Sequence, residues 1–457
     1  MSAAVSDAGV VIVGAGHGGS QAAISLRQEG YDGPITLVGN EPEFPYHRPP
    51  LSKAFLKGSD DRLQPLRGDA VYADNAIDYR PGTAVRAIDL AGKRCLLDKG
   101  DLPFRTLILA TGARPRRLAI AGAEREGIFT LRTAADARRI KSHMVSAAHA
   151  VIVGGGFIGL EVAATMAALG KRVTVLELGE RLLARAISPA VSNHVLARLA
   201  ASGVDVRLGA EVAAFAGDAH VRAVTTRSGE RILADIVVIG IGAEPDVALA
   251  ATAGIHVDGG VVVDQCLRTS AENVFAIGDC ARFPHWQTGG YVRLESVQNA
   301  TDQARHVAQV ILGATTPYTA MPWFWSDIAD MKLQMVGLPS RADRQLVAGD
   351  PGSNAFSVYH FRGDDLLAID SVNRPADHML GRRMLATGYR PTDHDILSGR
   401  LGEAFRQWTA ASGSRLAMMA NAFSSSRAMM VPGASPRNTA ANGLSLELLL
   451  TIVISLR

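Results

Sequence analysis

Glycines at a fixed spacing are the residues of this sequence with the clearest chemical use. Two glycine-rich segments, GAGHGG over 14–19 and GGGFIG over 154–159, each follow a short run of valine and isoleucine. In such a segment the first glycine makes a tight turn, the second lets the backbone approach a pyrophosphate, and the third lets the following helix pack on its strand. The phosphates then lie at the positive N-terminus of that helix. The pattern predicts one nucleotide site at Gly14, Gly16 and Gly19, and another at Gly154, Gly156 and Gly159.

Polar side chains at the end of the next strand of each unit would contact the ribose of the nucleotide. In the first unit Asn40 and Glu41 both follow the strand, and either would serve as the acceptor, although both also suit an ordinary loop. In the second unit Glu177 stands 21 positions after Gly156. A carboxylate at this place binds the 2′-hydroxyl of NADH and repels the 2′-phosphate of NADPH. Leu178 follows where NADPH sites usually have arginine, so the sequence favours NADH.

The glycine segments and the ribose-contacting side chains can be positioned only if each strand is followed directly by a helix. Further apolar strands that end in glycine are predicted at 107–112, 236–242 and 274–279. The segment over 41–50 holds four prolines and is predicted to be a loop. Between about 315 and 385 apolar and polar residues alternate, which predicts a smaller antiparallel unit. The predicted fold class is α/β, with two Rossmann-like dinucleotide-binding domains and a C-terminal α+β domain.

The composition argues against several other classes of protein. With 457 residues the chain exceeds one small domain, and a formal net charge of +3 gives no reason to expect nucleic-acid binding. The apolar run over 444–456 is too short and too interrupted to span a membrane. Cys95, Cys266 and Cys280 form no CxxC pair and have no metal-ligand spacing. We therefore expect no protein-bound metal, and a reducing, cytoplasmic location.

A series of longer motifs extends this interpretation. The segment over 43–53, EFPYHRPPLSK, resembles one in the FAD-dependent ferredoxin reductases that serve bacterial oxygenases and cytochromes P450. Further matches to that family are GFIGLE over 156–161, AIGDCA over 276–281, RLESVQNA over 293–300, WFWS over 323–326 and VNRP over 372–375. The resemblance covers about residues 8–405 in unbroken order, and such a series is far more specific than either glycine segment alone.

The resemblance implies roles for single residues. The FAD contacts that it implies are Gly18, Asn40, Lys53, Val85, Arg132, Asp279 and Val297. It also implies catalytic positions for Lys53, Glu161 and Trp325, with the glutamate facing the nicotinamide and pairing with the lysine, and the tryptophan beside the flavin ring. From the residues alone, Asp279 also suits a helix cap, Glu161 is favoured in any first helical turn, and Trp325 suits a core. Ile328-Ala329 stand where the family usually has a glutamine after Ser-Asp/Glu, so a polar contact near the flavin is expected to be absent.

The implied protein is a flavoenzyme of glutathione-reductase-like architecture. The predicted domains are an FAD-binding domain from 1–115 and 246–320, an NADH-binding domain over 116–245, a C-terminal domain over 321–410 and a disordered extension over 411–457. NADH would deliver two electrons as a hydride, and FAD would pass them one at a time to a [2Fe-2S] ferredoxin. Candidate contacts for an acidic ferredoxin are Arg293, Arg305 and Arg374.

Other functions stay open at this point. A dithiol mechanism is excluded, because residues 40–60 contain no cysteine. An NADH oxidase, or a quinone- or monodehydroascorbate-type reductase with a small acceptor, is the main alternative, and acceptor preference would distinguish it. A non-catalytic flavoprotein sensor is a further alternative, whose flavin NADH would fail to bleach. The sequence does not define the ferredoxin, the oxygenase that it feeds or the oligomeric state.

Overall fold

The computed structural model describes residues 8–412. Residues 8–401 belong to one unit, and the described residues 402–412, which are helical, belong to a second unit. The extension predicted over 411–457 lies outside the described residues from 413 onwards. All the sheets below lie within 8–401, and the domain boundaries predicted from the sequence stay a proposal.

The valine run before the first glycine segment lies in the middle of a seven-stranded sheet, here called the first sheet. Its parallel strands are Ile77–Arg80, Ile35–Val38, Gly9–Val13, Asp101–Leu109 and Val274–Ala276, and its antiparallel strands are Arg94–Leu97 and Val85–Asp89. Gly9–Val13 pairs with a parallel strand on each side and is buried along its whole length. Burial on both faces explains why this strand reads as an unbroken apolar run.

The second glycine segment follows the central strand of an all-parallel sheet, here called the second sheet. Its strands, in spatial order, are Val204–Arg207, Arg172–Leu176, His149–Val153, Ile236–Ile239 and Ile128–Thr130. In both sheets the glycine segment begins where the central strand ends, at Val13 and at Val153. This is the edge at which open α/β sheets bind their ligands. The predicted pair of doubly wound units is confirmed.

Short strands join and flank these two sheets. The strands Ala113–Pro115 and Ala243–Pro245 pair as a ribbon where the chain leaves the first sheet and later returns to it. Beside this ribbon, Thr111 Oγ1 donates a hydrogen bond to the carbonyl of Asp246 at 2.6 Å. There are also two small three-stranded sheets. One contains the strands Val212–Ala216, Ala223–Thr226 and Arg231–Leu233, and the other contains the strands Val261–Val262, Ala281–His285 and Gly290–Val292.

The alternating pattern near the C-terminus forms an antiparallel sheet, here called the C-terminal sheet. Its strands, in spatial order, are Trp323–Ile328, Met331–Gly337, Asp365–Val372, Ala355–Arg362 and Arg344–Asp350. The helix Pro375–Thr387 packs on this sheet at Gly381, where a Cβ atom would lie 2.6 Å from Ile369 Cδ1. The antiparallel unit predicted from the sequence is therefore confirmed, together with its helix.

Helices cover the sheets and connect the strands. Between residues 8 and 400 the α-helices are His17–Gln28, Ala54–Lys57, Ala70–Asp74, Ala134–Met144, Phe157–Ala168, Pro189–Ala201, Ala248–Thr252, Val297–Ile311, Pro375–Thr387 and Asp393–Leu397, and the 3-10 helices are Pro49–Ser52, Gly278–Cys280 and Pro351–Ser353. Within the described residues, no helix is long and apolar enough to cross a membrane. One hydrophobic cluster contains side chains of the second sheet, of the C-terminal sheet and of the short helix Ala54–Lys57. This shared core fixes the relative positions of three segments that are remote in sequence.

Candidate active site

A cavity of about 1130 Å³ lies between the carboxyl edges of the first and second sheets. Both glycine segments line it, together with the proline-rich segment over 43–53, the start of the helix Val297–Ile311 and the side chain of Trp325. Ligand pockets for a single small molecule are usually about 300–1,000 Å³, so this cavity exceeds the usual size of a site for one small ligand.

The first glycine segment forms the cradle that its spacing predicts. Gly14 has φ +109°, and a Cβ atom there would lie 2.2 Å from the carbonyl oxygen of Ala110. Gly16 lines the cavity with open space where a Cβ would be, and Gly18 lines the cavity as well. Gly19 does not line the cavity and instead lies against the turn, where a Cβ atom would be 1.8 Å from the carbonyl oxygen of Gly14. Its role is the packing of the helix His17–Gln28 against its strand.

His17, at the start of that helix, supports the fit of an anionic group. Burial, followed by the positive side chains of His47, Arg48 and Arg132, lowers the pKa of His17 to about 3. The ring is therefore neutral at pH 7, and its buried Nε2 has no hydrogen-bond partner among the described residues. A buried polar atom without a partner beside a glycine cradle fits a bound phosphate.

Of the two candidate ribose acceptors, Glu41 already has partners on both carboxylate oxygens. Arg48 donates to Glu41 Oε1 at 2.6 Å, and the hydroxyl of Tyr46 donates to Glu41 Oε2 at 2.5 Å. Asn40 lines the cavity with an exposed side chain and has no hydrogen-bond partner among the described residues. Asn40 is therefore the candidate whose side chain has no partner yet, whereas Glu41 holds Arg48 and keeps further acceptor sites on its oxygens.

The other implied FAD positions lie on several elements. Arg132 donates to Asp279 Oδ2 at 3.0 Å, and both residues line the cavity. Asp279 lies in the 3-10 helix Gly278–Cys280, and Val297 is the first residue of its helix, so both are at the edge of the first sheet. Val85 is different: it is buried at the start of its strand and is not among the residues that line the cavity. Its side chain contributes to the core beneath the first sheet.

The second glycine segment repeats this geometry, with a carboxylate bound across its turn. Gly154 has φ +105°, and a Cβ there would lie 2.5 Å from the carbonyl oxygen of Gly240. Gly156 lines the cavity, whereas Gly159 packs its helix against the same turn and does not line it. Glu177 accepts hydrogen bonds from the backbone N–H of Gly155 at 2.5 Å and of Gly179 at 2.7 Å. These bonds hold the Glu177 carboxylate at the cavity wall, where the second ribose would lie.

A buried carboxylate lies where the two nucleotide regions meet. Glu161 is 4% exposed, and its Oε1 is 2.7 Å from Lys53 Nζ. Ser52 Oγ donates to Glu161 Oε2 at 2.5 Å, and Ser326 Oγ donates to Oε1 at 2.6 Å. The hydroxyl of Thr165 also donates to the carbonyl of Ser52 at 2.9 Å. Two segments that are remote in sequence therefore supply three donors to one carboxylate.

Aromatic rings line the wall beside this carboxylate. Trp325 lies on the strand Trp323–Ile328, and its ring centroid is 5.5 Å from that of Trp323 and 6.5 Å from that of Phe324. Phe324 in turn contacts Phe157, the first residue of the helix after the second glycine segment, at 4.7 Å between centroids. Flat side chains of this kind suit the face of a flavin or nicotinamide ring.

Ile328 lies outside this wall. Its side chain is fully buried in the hydrophobic cluster below the C-terminal sheet and does not line the cavity. The next residue, Ala329, has φ +53° in the turn to the strand Met331–Gly337. The side chain at position 328 thus packs in the core, and the absence of a polar contact near the flavin stays a prediction.

Sequence reasoning missed four side chains of the site. Tyr46, Arg48, Ser52 and Ser326 are all part of motifs that carried the family resemblance, but none was assigned a role. Arg48 also donates to the carbonyl of Arg132 at 2.6 Å, which links the proline-rich segment to the Arg132–Asp279 pair. The available indication was that acidic residues, Glu41 and Glu43, and basic residues, Arg48 and Lys53, occur close together in or beside this segment.

The cysteines take no part in the cavity. Cys95, Cys266 and Cys280 are buried and form no disulfide, and none of them lines the cavity. Burial raises the pKa of Cys95 to about 12 and raises the pKa of Cys280. A thiol of this kind stays protonated and unreactive. Among residues 8–412 there is also no group of three or more histidine, cysteine or acidic side chains arranged to hold a metal ion.

Fold and site together define an oxidoreductase with two dinucleotide cradles, a flavin-type cavity and no redox-active cysteine along its lining. Comparison with known proteins agrees. The family model described as pyridine nucleotide-disulphide oxidoreductase matches residues 8–304, and the model described as reductase C-terminal matches residues 323–400. The chain belongs to this family of flavoprotein reductases, whose cofactors are FAD and NADH.

Individual relatives are similar along most of their length. Rhodocoxin reductase of Rhodococcus erythropolis is 47% identical over 381 residues, which are 83% of this chain and 89% of that protein. The crystal structure of the ferredoxin reductase for the CYP199A2 system from Rhodopseudomonas palustris matches with a TM-score of 0.84 and 40% identity, covering 87% of this chain and 99% of that one. The covalent putidaredoxin reductase–putidaredoxin complex matches with a TM-score of 0.80 and 39% identity, covering 84% and 94%.

Proposed function

We propose that this protein is an NADH-dependent ferredoxin reductase. It contains FAD, acts in the cytoplasm and delivers single electrons to a [2Fe-2S] ferredoxin that feeds a cytochrome P450 or a ring-hydroxylating oxygenase. The observation that carries the proposal is one cavity in which two dinucleotide cradles meet at the Lys53–Glu161 pair, with no cysteine in its lining. The similarity to a rhodocoxin reductase and to the reductase of a putidaredoxin complex supports a ferredoxin as the acceptor.

The residues of the first sheet's edge hold FAD in this proposal. Bound FAD supplies the exchange between hydride transfer and single-electron transfer. Gly14, Gly16 and Gly18 admit its pyrophosphate, and the neutral ring of His17 offers one polar atom to a phosphate oxygen. Asn40 contacts a ribose, and the Asp279 carboxylate, oriented by Arg132, accepts from sugar hydroxyls. The FAD-binding domain then comprises 1–115 and 246–320, with the NADH-binding domain over 116–245 between them and the C-terminal domain over 321–410.

The residues of the second sheet's edge hold NADH. Gly154 and Gly156 admit the pyrophosphate, and Glu177 accepts from the 2′-hydroxyl of the adenosine ribose. Because two backbone N–H groups fix the Glu177 carboxylate, it cannot swing away from a 2′-phosphate, and NADPH is disfavoured.

The side chains of Glu161, Lys53 and Trp325 lie where the two cofactors meet. Glu161 is held by Lys53 and by two serine hydroxyls, so the position of its carboxylate is fixed before any ligand arrives. Lys53 is the cation of this pair and orients the reacting edge of the bound ring. Trp325 closes the wall and limits the access of water to the reacting atoms.

The face for ferredoxin is proposed from the three candidate arginines. Arg293 is engaged by Glu295 at 2.6 Å and by the carbonyl of Asp279, and Arg374 pairs with Asp377 at 2.7 Å. Arg305 pairs with Asp302 at 2.7 Å but has the most exposed side chain of the three. Among these candidates Arg305 is therefore the best placed to steer an acidic partner.

The test is acceptor preference of the purified holoprotein. We expect NADH to bleach the bound flavin without thiol release, and turnover with [2Fe-2S] ferredoxins, read through cytochrome c reduction, to exceed turnover with oxygen or quinones. Faster turnover with a quinone or with monodehydroascorbate would support the small-acceptor alternative instead. If NADH does not bleach the flavin, both the ferredoxin-reductase proposal and the small-acceptor alternative are overturned, and a flavoprotein sensor is supported.

A further inference from the structure

A second cavity lies behind the Lys53–Glu161 pair, and we propose that it is the route by which the site releases its proton to solvent. This inference rests on the proposed NADH-dependent electron transfer. The second cavity, here called the rear cleft, has a volume of about 280 Å³. Its walls include Lys53, Glu161, Thr165, Asp327 and Ala329.

The reaction itself releases a proton. Each turnover converts NADH and two oxidised one-electron acceptors into NAD⁺, two reduced acceptors and one proton. The acceptors take only electrons, so the proton has to leave the protein by itself. With both cofactors bound, the front of the cavity is filled, and water is excluded from that side of the site.

The Lys53–Glu161 pair is the only pair of ionisable groups in the described residues that lines both cavities. Glu161 is 4% exposed, yet it is a lining residue of both the active-site cavity and the rear cleft. Lys53 does the same and is 2.7 Å away from it. A proton that reaches this pair from the front can therefore leave from the back without crossing apolar packing.

The rear cleft has the size and polarity for water. At roughly 30 Å³ for each molecule in liquid water, a cleft of about 280 Å³ holds several waters. Asp327, Thr165 and Ser202 supply polar partners, and Lys57 and Ser202 are exposed at its outer end. Alanines at 164, 167, 168 and 329 leave the passage open, because a larger side chain at any of them would occupy it.

The test is to fill the cleft and to follow protons and electrons separately. Ala167→Leu fills the cleft from the helix Phe157–Ala168, and Asp327→Asn removes its carboxylate without a change in volume. Ala200→Leu is the control, because Ala200 is an exposed helical alanine that lines neither cavity. NADH-reduced holoprotein in weak buffer is mixed with ferricyanide, while a pH indicator reports proton release and ferricyanide absorbance reports electron transfer.

In wild type and in Ala200→Leu we expect proton release to keep pace with electron transfer. In Ala167→Leu we expect proton release to lag behind by severalfold, and in Asp327→Asn a smaller lag that small weak acids in the buffer remove. FAD content, thermal unfolding and the bleaching of the flavin by NADH should match wild type in all three. Proton traces of both cleft variants that coincide with wild type would overturn the proposal. Because ferricyanide replaces the protein partner, a wrong assignment of the ferredoxin would not affect this result.

Discussion

Replacing Lys53 by methionine should slow the reduction of bound FAD by NADH more than it weakens FAD binding. The Lys53 nitrogen is 2.7 Å from Glu161 Oε1, and methionine keeps most of the side-chain length while removing the charge. The carboxylate would then lose one of its three donors but keep the hydroxyls of Ser52 and Ser326. The change therefore perturbs the position and charge of the pair more than the fold around it.

The magnitude follows from the burial of the two partners. A hydrogen bond to a charged group contributes about 1.5–3 kcal/mol. Glu161 is 4% exposed, but Lys53 is 22% exposed and its charge is partly screened by water. We therefore expect a loss of about 2 kcal/mol, in the middle of that range, which corresponds to about a 30-fold slower reduction.

A double-mutant cycle shows whether the pair acts as a unit. Lys53→Met, Glu161→Gln and the double variant are compared by stopped-flow bleaching of the flavin, with FAD content measured for each. We expect the double variant to be less impaired than the sum of the singles, by at least about 1 kcal/mol. Lys141→Met is the matched control, because Lys141 pairs with Asp61 at 3.0 Å and lines neither cavity. Strictly additive effects, or a Lys53→Met rate equal to that of the control, would refute the reasoning.

Three further predictions concern specificity, pH and docking. Glu177→Ala combined with Leu178→Arg should raise the ratio of kcat/KM for NADPH to that for NADH, and a wild type that already prefers NADPH would contradict the role of Glu177. Burial lowers the pKa of His285 to about 4 in the folded protein. Below about pH 6.5 the unfolded chain therefore binds more protons than the folded protein, and folding stability decreases as the pH decreases. His285→Phe should reduce the loss of folding stability between pH 7 and pH 5 by about 2 kcal/mol, measured by urea unfolding. An unchanged loss of stability would show that His285 does not contribute to it. Arg305→Glu should weaken ferredoxin reduction at low salt while NADH–ferricyanide turnover stays unchanged, and an equal loss in both assays would mean that Arg305 is structural.

The glycine segments were predictable because their geometry is local. Gly14 and Gly154 each have a positive φ and lie against a backbone carbonyl of the neighbouring strand's turn, as the spacing required. Glu177 follows from the same local unit, since its place is counted along one strand–helix–strand repeat. In these cases one short stretch of sequence contains both the glycine turn and the side chain that lies beside it.

Contacts between remote segments were not predictable in the same way. Ser52 and Ser326 donate to a carboxylate that is 109 and 165 residues away from them, and a single serine has no periodic pattern. The choice between Asn40 and Glu41 likewise depended on Arg48 and Tyr46, whose contacts with Glu41 only the folded loop defines. The hairpin formed by Val85–Asp89 and Arg94–Leu97 was also missed, because its charged, half-exposed residues do not read as an apolar strand.

This difference between local and remote contacts has a consequence for how the site responds to change. Each glycine cradle is held by its own strand and turn, so it should survive substitutions elsewhere in the molecule. The Glu161 carboxylate is held by donors from the proline-rich segment and from the strand Trp323–Ile328. That strand turns at Ala329 and is anchored in the core by Ile328. A substitution that loosens this hairpin should therefore disturb the meeting place of the two nucleotides while both nucleotides still bind.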